Sequence, residues 1–335
     1  MKRLLQLLFL FALIVGSVYI VRQQQTMPYQ HNSGRIFGTM YNIVYQSDKD
    51  LHQDILDQLR TVDETFSTYN PRSIVSQINR NEPVKTNRMF EEVFAQAADI
   101  SKDTDGAFDI TVAPMVNAWG FGFKTGTQPT PLVIDSLRRI VGYHKIKLRK
   151  SRLEKQDTRL MLDFSAIAKG YGSDIVARYL RSKDIMNFMV EIGGEVVTSG
   201  NSEKRLPWKI GVTKPIDDST QVNAPLQTIL NVTDKAMATS GNYRQFYYKN
   251  GRKYAHTIDP KTGYPVQHSL LSATVLTHSC AKADAYATAF MVLGLEKTQR
   301  LLEHHPDMMA YLIYTDPKGR LAVWYSAALK NKIEE

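Results

Sequence analysis

The order of the predicted strands and helices is the feature that most constrains the fold of this chain. Alternating, β-branched and aromatic residues predict strands at Ile36–Tyr45, Phe188–Ile192 and Leu271–Leu276. Apolar residues at helical spacing, from Leu51 to Val62, predict one helix, and further helices are predicted at Phe90–Ser101 and at the alanine-rich segment Ala281–Leu293. Because these elements do not alternate as regular β-α-β units, the sequence predicts an α+β fold of mixed, largely antiparallel sheets with packed helices.

Two glycine-rich segments differ from the usual nucleotide-binding motifs. Gly120 and Gly122 are followed by Gly126, one residue too late for the dinucleotide-binding pattern G-x-G-x-x-G. Lys169 and Gly170 stand in the reverse of the order that a P-loop requires. A dinucleotide bound by this chain is therefore held in another way.

An apolar run near the N-terminus, Leu4–Val21, is interrupted only by Gln6, Gly16 and Ser17. A helix of this length rises about 27 Å, close to the thickness of a bilayer core. Lys2 and Arg3 precede the run, and the positive-inside rule keeps such an end in the cytoplasm. The run predicts one N-terminal transmembrane helix, with a cleaved signal peptide as the alternative.

This interpretation divides the chain into three parts. Residues 1–22 are predicted as a membrane anchor, residues 23–33 as a polar tether and residues 34–328 as the folded domain. The protein is then a single-pass protein of the inner (cytoplasmic) membrane, with its folded domain on the periplasmic or extracytoplasmic side.

The formal net charge of +9 raises the question of an anionic partner. Nucleic-acid-binding proteins concentrate their basic residues on one stripe or tail. Here the basic residues are spread along the chain, with a modest cluster between Lys145 and Arg159. The pattern favours a solvated basic surface and predicts no nucleic-acid partner, while an anionic ligand or lipid surface remains an alternative.

Asp284 and Thr288 are four residues apart within the alanine-rich helix. This spacing places their oxygens on one helix face, one turn apart. A carboxylate beside a hydroxyl suits a hard cation such as Mg²⁺, which keeps several waters and binds phosphate oxygens. The alternative is an aspartate that interacts with the helix dipole, beside a threonine that only packs.

His256 precedes the turn sequence Asp259–Gly263. Because the unperturbed pKa of histidine is about 6.5, a histidine held beside a rigid turn suits a general base. A histidine that only packs or lies on the surface is the alternative.

Eight segments, taken in order along the chain, resemble the motifs of the ApbE family, whose members are FAD:protein FMN transferases. They are Phe66–Ser73, Gly106–Thr111, Trp119–Gly122, Asp163–Gly170, Glu191–Gly194, Thr239–Tyr243, His256–Gly263 and Ala283–Thr288. The resemblance extends from about Gly34 to Trp324, nearly the whole predicted domain.

The resemblance implies a set of site residues. Mg²⁺ is implied to bind the side chains of Asp284 and Thr288 and the backbone carbonyls of Ala166 and Ala287. The residues implied to contact FAD are Phe37, Tyr69, Ala107, Phe108, Asp109, Asp163, Lys169 and Ile258.

The implied reaction is the Mg²⁺-dependent transfer of FMN from FAD to a Thr or Ser hydroxyl of a target protein, with release of AMP. His256 is the candidate that takes the proton of the hydroxyl. The implied acceptor is a flavin-carrying subunit of a respiratory electron-transport complex. Two alternatives remain at this stage, namely an FAD pyrophosphatase and a non-catalytic flavin-binding surface protein.

Overall fold

A computed structural model describes residues 2–123, 129–216, 225–243, 246–249 and 252–334, so Gly126 of the glycine-rich segment lies outside the described residues. The helices are α1 (Lys2–Thr26), α2 (His52–Phe66), α3 (Ile74–Asn79), α4 (Arg88–Asp103), α5 (Ala113–Ala118), α6 (Pro131–Ile140), α7 (Ala168–Ser182), α8 (Cys280–Leu293) and α9 (Leu295–Glu303). The strands are β1 (Tyr29–Ile36), β2 (Thr39–Gln46), β3 (Ile146–Arg149), β4 (Arg152–Lys155), β5 (Phe188–Ile192), β6 (Glu195–Ser199), β7 (Trp208–Thr213), β8 (Leu226–Val232), β9 (Ala236–Gly241), β10 (Phe246–Lys249), β11 (Arg252–Ala255), β12 (Leu270–Thr277), β13 (Met309–Thr315), β14 (Leu321–Tyr325) and β15 (Ile333–Glu334).

The centre of the fold is an eight-stranded sheet. Its strand order is β1-β2-β5-β6-β9-β12-β13-β14, and every neighbouring pair is antiparallel. A separate antiparallel sheet has the order β15-β8-β7. The prediction of an α+β fold with largely antiparallel sheets is therefore confirmed.

The two faces of the large sheet pack against different layers. Val197 of β6 lies in a core cluster with Leu59 of α2 and Val176 of α7. Val196, the preceding residue, lies in a second cluster with Ile210 of β7. Since successive strand residues point to opposite faces, the helices cover one face and the three-stranded sheet covers the other.

The strand predicted at Ile36–Tyr45 is interrupted by a tight turn. Ile36 pairs with Thr39, so Phe37 and Gly38 form a two-residue hairpin turn between β1 and β2. Both residues have positive φ, 52° and 73°, as a type I′ turn requires. The turn projects Phe37 toward α7, where its ring packs against Gly172.

The prediction of an N-terminal transmembrane helix is wrong. Within the part of the chain that the structure describes, no helix is long and apolar enough to cross a membrane. Residues 2–26 form the helix α1.

The predicted tether, residues 23–33, also differs from the structure. Residues up to Thr26 belong to α1, and the large sheet begins with β1 at Tyr29 rather than near Gly34. β1 is an edge strand whose residues are mostly half-buried or exposed, so it lacks the apolar alternation that marks a strand in sequence.

The sequence Leu160–Asp163 has the composition of a short strand, but the segment belongs to no strand. The amide of Asp163 donates to the carbonyl of Ile110, at 2.8 Å, in an irregular segment. A short apolar run of this kind has strand-like composition whether or not a partner strand is present.

Candidate functional site

The contact between α7 and α8 brings two of the predicted segments together. A Cβ atom at Gly170 would lie 2.3 Å from the carbonyl oxygen of Cys280, so only glycine permits this approach. The Gly170 amide donates to Oδ2 of Asp284 at 3.1 Å. Asp284 is only 2% exposed, and this hydrogen bond helps to satisfy its buried carboxylate.

The predicted metal-binding side chains lie on the part of α8 that faces α7 and β9. The hydroxyl groups of Thr288 and Ser240 are hydrogen-bonded at 3.1 Å. Nζ of Lys169 lies 3.6 Å from Oδ2 of Asp284 and 3.4 Å from Oε1 of Glu195. A buried carboxylate, a hydroxyl and a basic side chain therefore meet where α7, α8 and the large sheet pack together.

This set of donors fits Mg²⁺. In the described part of the chain, no group of three or more His, Cys, Asp or Glu side chains could hold a metal ion. The predicted set differs in kind, because it contains one carboxylate, one hydroxyl and two backbone carbonyls. Mg²⁺ uses such sparse protein ligation when waters and substrate phosphates complete its coordination. The buried negative charge of Asp284 suits a cation.

The two predicted carbonyl ligands lie on different elements. Ala166 is in the turn that leads into α7, and Ala287 is in the interior of α8. A helical carbonyl accepts the amide four residues later, which leaves it one further lone pair for a cation. The roles of Ala166 and Ala287 stay predictions.

The N-terminus of α8 is fixed by a buried carboxylate that the sequence interpretation did not identify. Asp174 of α7 accepts hydrogen bonds from the amides of Cys280 and Ala281, both at 2.9 Å, and from the hydroxyl of Ser279 at 2.8 Å. Burial raises the pKa of the Asp174 carboxyl, although these hydrogen bonds lower it. Asp174 therefore holds α8, and with it Asp284, at a fixed distance from α7.

Asp109 organises the loop that was predicted to contact FAD. Its Oδ1 accepts from the amide and hydroxyl of Thr111, at 2.8 and 2.7 Å, and its Oδ2 accepts from the amide of Tyr143 at 2.8 Å. Burial raises the pKa of this carboxyl above its ordinary value. The Asp109 carboxylate thereby connects residues 109–111 to the loop after α6. The contact of Asp109 with FAD stays a prediction.

Asp163 lies beside Asp109 in the fold, because its amide donates to the carbonyl of Ile110. Its Oδ1 accepts from the amide of Ser165 at 2.8 Å, which shapes the turn before α7. The motif segments Gly106–Thr111 and Asp163–Gly170 are therefore hydrogen-bonded to each other, and Asp163–Gly170 is bonded to α8 through Gly170.

The turn after His256 is anchored to α5 and α6. The indole of Trp119 donates to the carbonyl of Gly263 at 2.8 Å, and Nε of Arg138 donates to the carbonyl of Lys261 at 2.8 Å. The His256 ring packs edge-on against Phe121, with ring centroids 6.5 Å apart. The turn thereby holds the histidine against the Trp119–Gly122 segment, while its role as base stays a prediction.

A cavity of about 600 Å³ lies where two motif segments meet. Its lining includes Gly106, Asp109, Pro260 and Lys261, together with residues of α6 and of the loop that follows it. The side chain of Lys261 also forms an ion pair with Asp105. This cavity is large enough for part of a dinucleotide.

The remaining predicted FAD contacts differ in exposure. Tyr69 is 78% exposed, so its ring is available to a ligand. Ala107, Phe108 and Ile258 are buried in core clusters, which leaves mainly their backbone atoms for a ligand. Phe37 is partly buried at the hairpin turn.

Glu195 and Ser240 contact the predicted site residues, but the sequence interpretation assigned no role to either of them. Glu195 follows a predicted strand and a Gly-Gly turn, and Ser240 lies in a segment that was recognised only by resemblance. Neither has a spacing that signals its partner, because Lys169 and Thr288 are distant in sequence.

Comparison with known proteins identifies a matching family and several similar sequences. The model of the ApbE family matches residues 37–313. A Haemophilus influenzae protein named FAD:protein FMN transferase is 37% identical over 304 residues, which cover 86% of this chain and 87% of the relative. A Vibrio cholerae protein of the same name is 37% identical over 297 residues, which cover 85% of this chain and 88% of the relative.

A solved structure described as the flavin transferase ApbE from Vibrio cholerae is similar throughout. It superposes with a TM-score of 0.81 at 35% sequence identity and covers 91% of this chain and 99% of its own.

Proposed function

The chain belongs to the ApbE family, and we propose that it transfers FMN from FAD to a Thr or Ser hydroxyl of a target protein, with Mg²⁺, and releases AMP. FAD:protein FMN transferase is the activity that its relatives' names share. The observation that carries the proposal is the buried carboxylate of Asp284, which lies beside Lys169 and one helical turn from Thr288.

The chemistry assigns a task to each group. The hydroxyl oxygen of the acceptor attacks the FMN-side phosphorus of FAD, and the bond from that phosphorus to the AMP phosphate breaks. When bound, Mg²⁺ supplies positive charge to the pyrophosphate, as phosphoryl transfer requires. Asp284, Thr288 and the carbonyls of Ala166 and Ala287 hold it.

Two other residues act on the reacting groups. His256 accepts the proton of the acceptor hydroxyl, which is a poor nucleophile until it is deprotonated. Lys169 places an ammonium beside the pyrophosphate, where it offsets the negative charge. AMP is already a good leaving group, so the proposal requires no general acid.

The substrate and the acceptor follow from the same proposal. FAD is the flavin donor, and the acceptor is a flavin-carrying subunit of a respiratory electron-transport complex. The extracytoplasmic location of the folded domain stays a prediction.

A product analysis tests the proposal. The chain is incubated with FAD and Mg²⁺, with and without a candidate acceptor, and AMP and FMN are quantified by chromatography. We expect AMP to form in the presence of the acceptor without free FMN, and a chelator to stop the reaction. Equal amounts of AMP and free FMN regardless of the acceptor would identify an FAD pyrophosphatase. Intact FAD under all conditions would indicate a non-catalytic flavin-binding protein.

A further inference from the structure

Glu195 is a buried carboxylate beside the proposed metal site. It is the first residue of β6, and its side chain is 3% exposed. Its ladder partner is Ile192, and both side chains point to the helix-covered face of the sheet. The hydroxyl of Ser173 on α7 donates to the Glu195 carbonyl at 2.9 Å. Glu195 is therefore held firmly against α7.

Lys169 lies between Glu195 and Asp284. Its Nζ is 3.4 Å from Oε1 of Glu195, 3.6 Å from Oδ2 of Asp284 and 3.3 Å from the carbonyl oxygen of Ser165. Lys169 and Ser173 are four residues apart on one face of α7, so β6 contacts two successive turns of that helix through Glu195. The ammonium therefore lies at nearly equal distances from the two carboxylates.

This arrangement affects any cation that binds Asp284. A cation on the Asp284 carboxylate is repelled by an ammonium less than 4 Å away, and such repulsion is weakly screened at a buried site. The repulsion falls if the ammonium moves toward Glu195, which offers a second negative charge on its other side. Without the charge of Glu195, the Lys169 ammonium is drawn toward Asp284 and competes with the cation for that carboxylate.

We propose that Glu195 is a positioning residue, which holds the Lys169 ammonium off Asp284 so that the carboxylate is available to the divalent cation. The inference rests on the proposed function, since it takes Asp284 as the metal ligand. Glu195 itself touches neither the metal nor FAD in this account.

The test measures Mn²⁺ binding to the full chain without FAD or acceptor, by the electron paramagnetic resonance signal of free Mn²⁺. We expect Glu195→Gln to weaken Mn²⁺ binding by about 10- to 100-fold, the range found for residues that support metal ligands. Lys169→Met should strengthen it. Glu191→Gln is the matched control, because Glu191 lies on β5 of the same hairpin but points to the opposite face of the sheet.

A double-mutant cycle tests whether Glu195 acts through Lys169. In the Lys169→Met background, Glu195→Gln should change Mn²⁺ affinity by less than about threefold, since no ammonium remains to be positioned. Circular dichroism and urea unfolding of each variant show that the fold is retained.

The outcomes separate this inference from the proposed function. Unchanged Mn²⁺ affinity in Glu195→Gln, or an equal loss in both backgrounds, overturns the positioning role but leaves Asp284 as ligand. A wild-type chain that binds no Mn²⁺ without FAD also overturns it. If Asp284→Asn does not weaken Mn²⁺ binding either, the metal site of the proposed function is itself wrong.

Discussion

The backbone amide of Gly170 donates to the side chain of Asp284 at 3.1 Å, across the contact between α7 and α8. The hydrogen bond exists only because residue 170 lacks a Cβ, which would lie 2.3 Å from the Cys280 carbonyl. The geometry of the proposed metal site therefore depends on the packing of two helices as well as on its ligands.

Gly170→Ala should destabilise the fold by about 1–3 kcal/mol, because the added methyl forces α7 and α8 apart. The change in the urea midpoint measures this effect. Gly172→Ala is the comparison, since a Cβ there meets the edge of the Phe37 side chain, 2.8 Å away, rather than backbone. The Phe37 ring can move, so the loss should be smaller. Equal losses of stability in both variants would show that the contact between α7 and α8 tolerates an added methyl group as well as the contact between Gly172 and Phe37 does.

Asp284→Asn should reduce the rate of transfer by more than about 100-fold at ordinary Mg²⁺ concentration. The amide oxygen can still accept from Gly170, but the charge that binds a hard cation is lost. Initial rates measured over a range of Mg²⁺ concentrations test this, and high Mg²⁺ should restore part of the rate. Wild-type activity in this variant would exclude Asp284 as the metal ligand.

His256→Ala should lower the single-turnover transfer rate by about 10²- to 10⁴-fold while FAD affinity changes little. The wild-type rate should fall at acid pH, because a protonated imidazole cannot accept the proton of the hydroxyl. FAD titration and single-turnover transfer on the same variant separate the two effects. A matched loss in both would make His256 a binding residue, with Asp259 the next candidate base.

Asp109 should give the unfolding free energy a distinct pH dependence. Burial raises the pKa of its carboxyl above the ordinary value of 3.8. The native state then binds more protons than the unfolded state above pH 3.8, so stability falls as the pH rises until the native carboxyl ionises. Asp109→Asn should make this fall shallower.

Urea midpoints measured from about pH 4 to 6 test the prediction. Asp105→Asn is the control, because the Lys261 side chain lowers the pKa of Asp105 and its carboxyl titrates below this interval. That variant should keep the wild-type slope above about pH 5, where this carboxyl is ionised in both the native and the unfolded states. An unchanged slope in Asp109→Asn would mean that the native carboxylate is already ionised at pH 4.

Elements with a distinctive local composition could be predicted from the sequence. The alanine-rich helix was predicted at Ala281–Leu293 and is α8, Cys280–Leu293, with Asp284 and Thr288 one turn apart on it. The apolar runs Met308–Tyr314 and Leu321–Trp324 flank the turn sequence at residues 316–319, and they correspond to the hairpin of β13 and β14. Local patterns sufficed here because the determining contacts are near in sequence or follow a clear repeat.

Other features depend on contacts that no local pattern encodes. β1 is a polar edge strand, and its place in the sheet is set by pairing with β2. The N-terminal run satisfied a hydropathy criterion, yet it does not give a membrane-spanning helix among the described residues. The Lys169–Glu195 contact joins α7 to β6 through the packing of a helix on a sheet. The motif segments were recognisable by resemblance, but their mutual geometry required the structure.

Mass spectrometry of an acceptor protein, after incubation with this chain, FAD and Mg²⁺, tests the proposed transfer of FMN. We expect the acceptor to gain the mass of one FMN group on a Thr or Ser, with one AMP released per labelled acceptor. Replacing that Thr or Ser by Ala should abolish the gain. Release of AMP and free FMN, with every tested acceptor at its original mass, would contradict the proposed transfer.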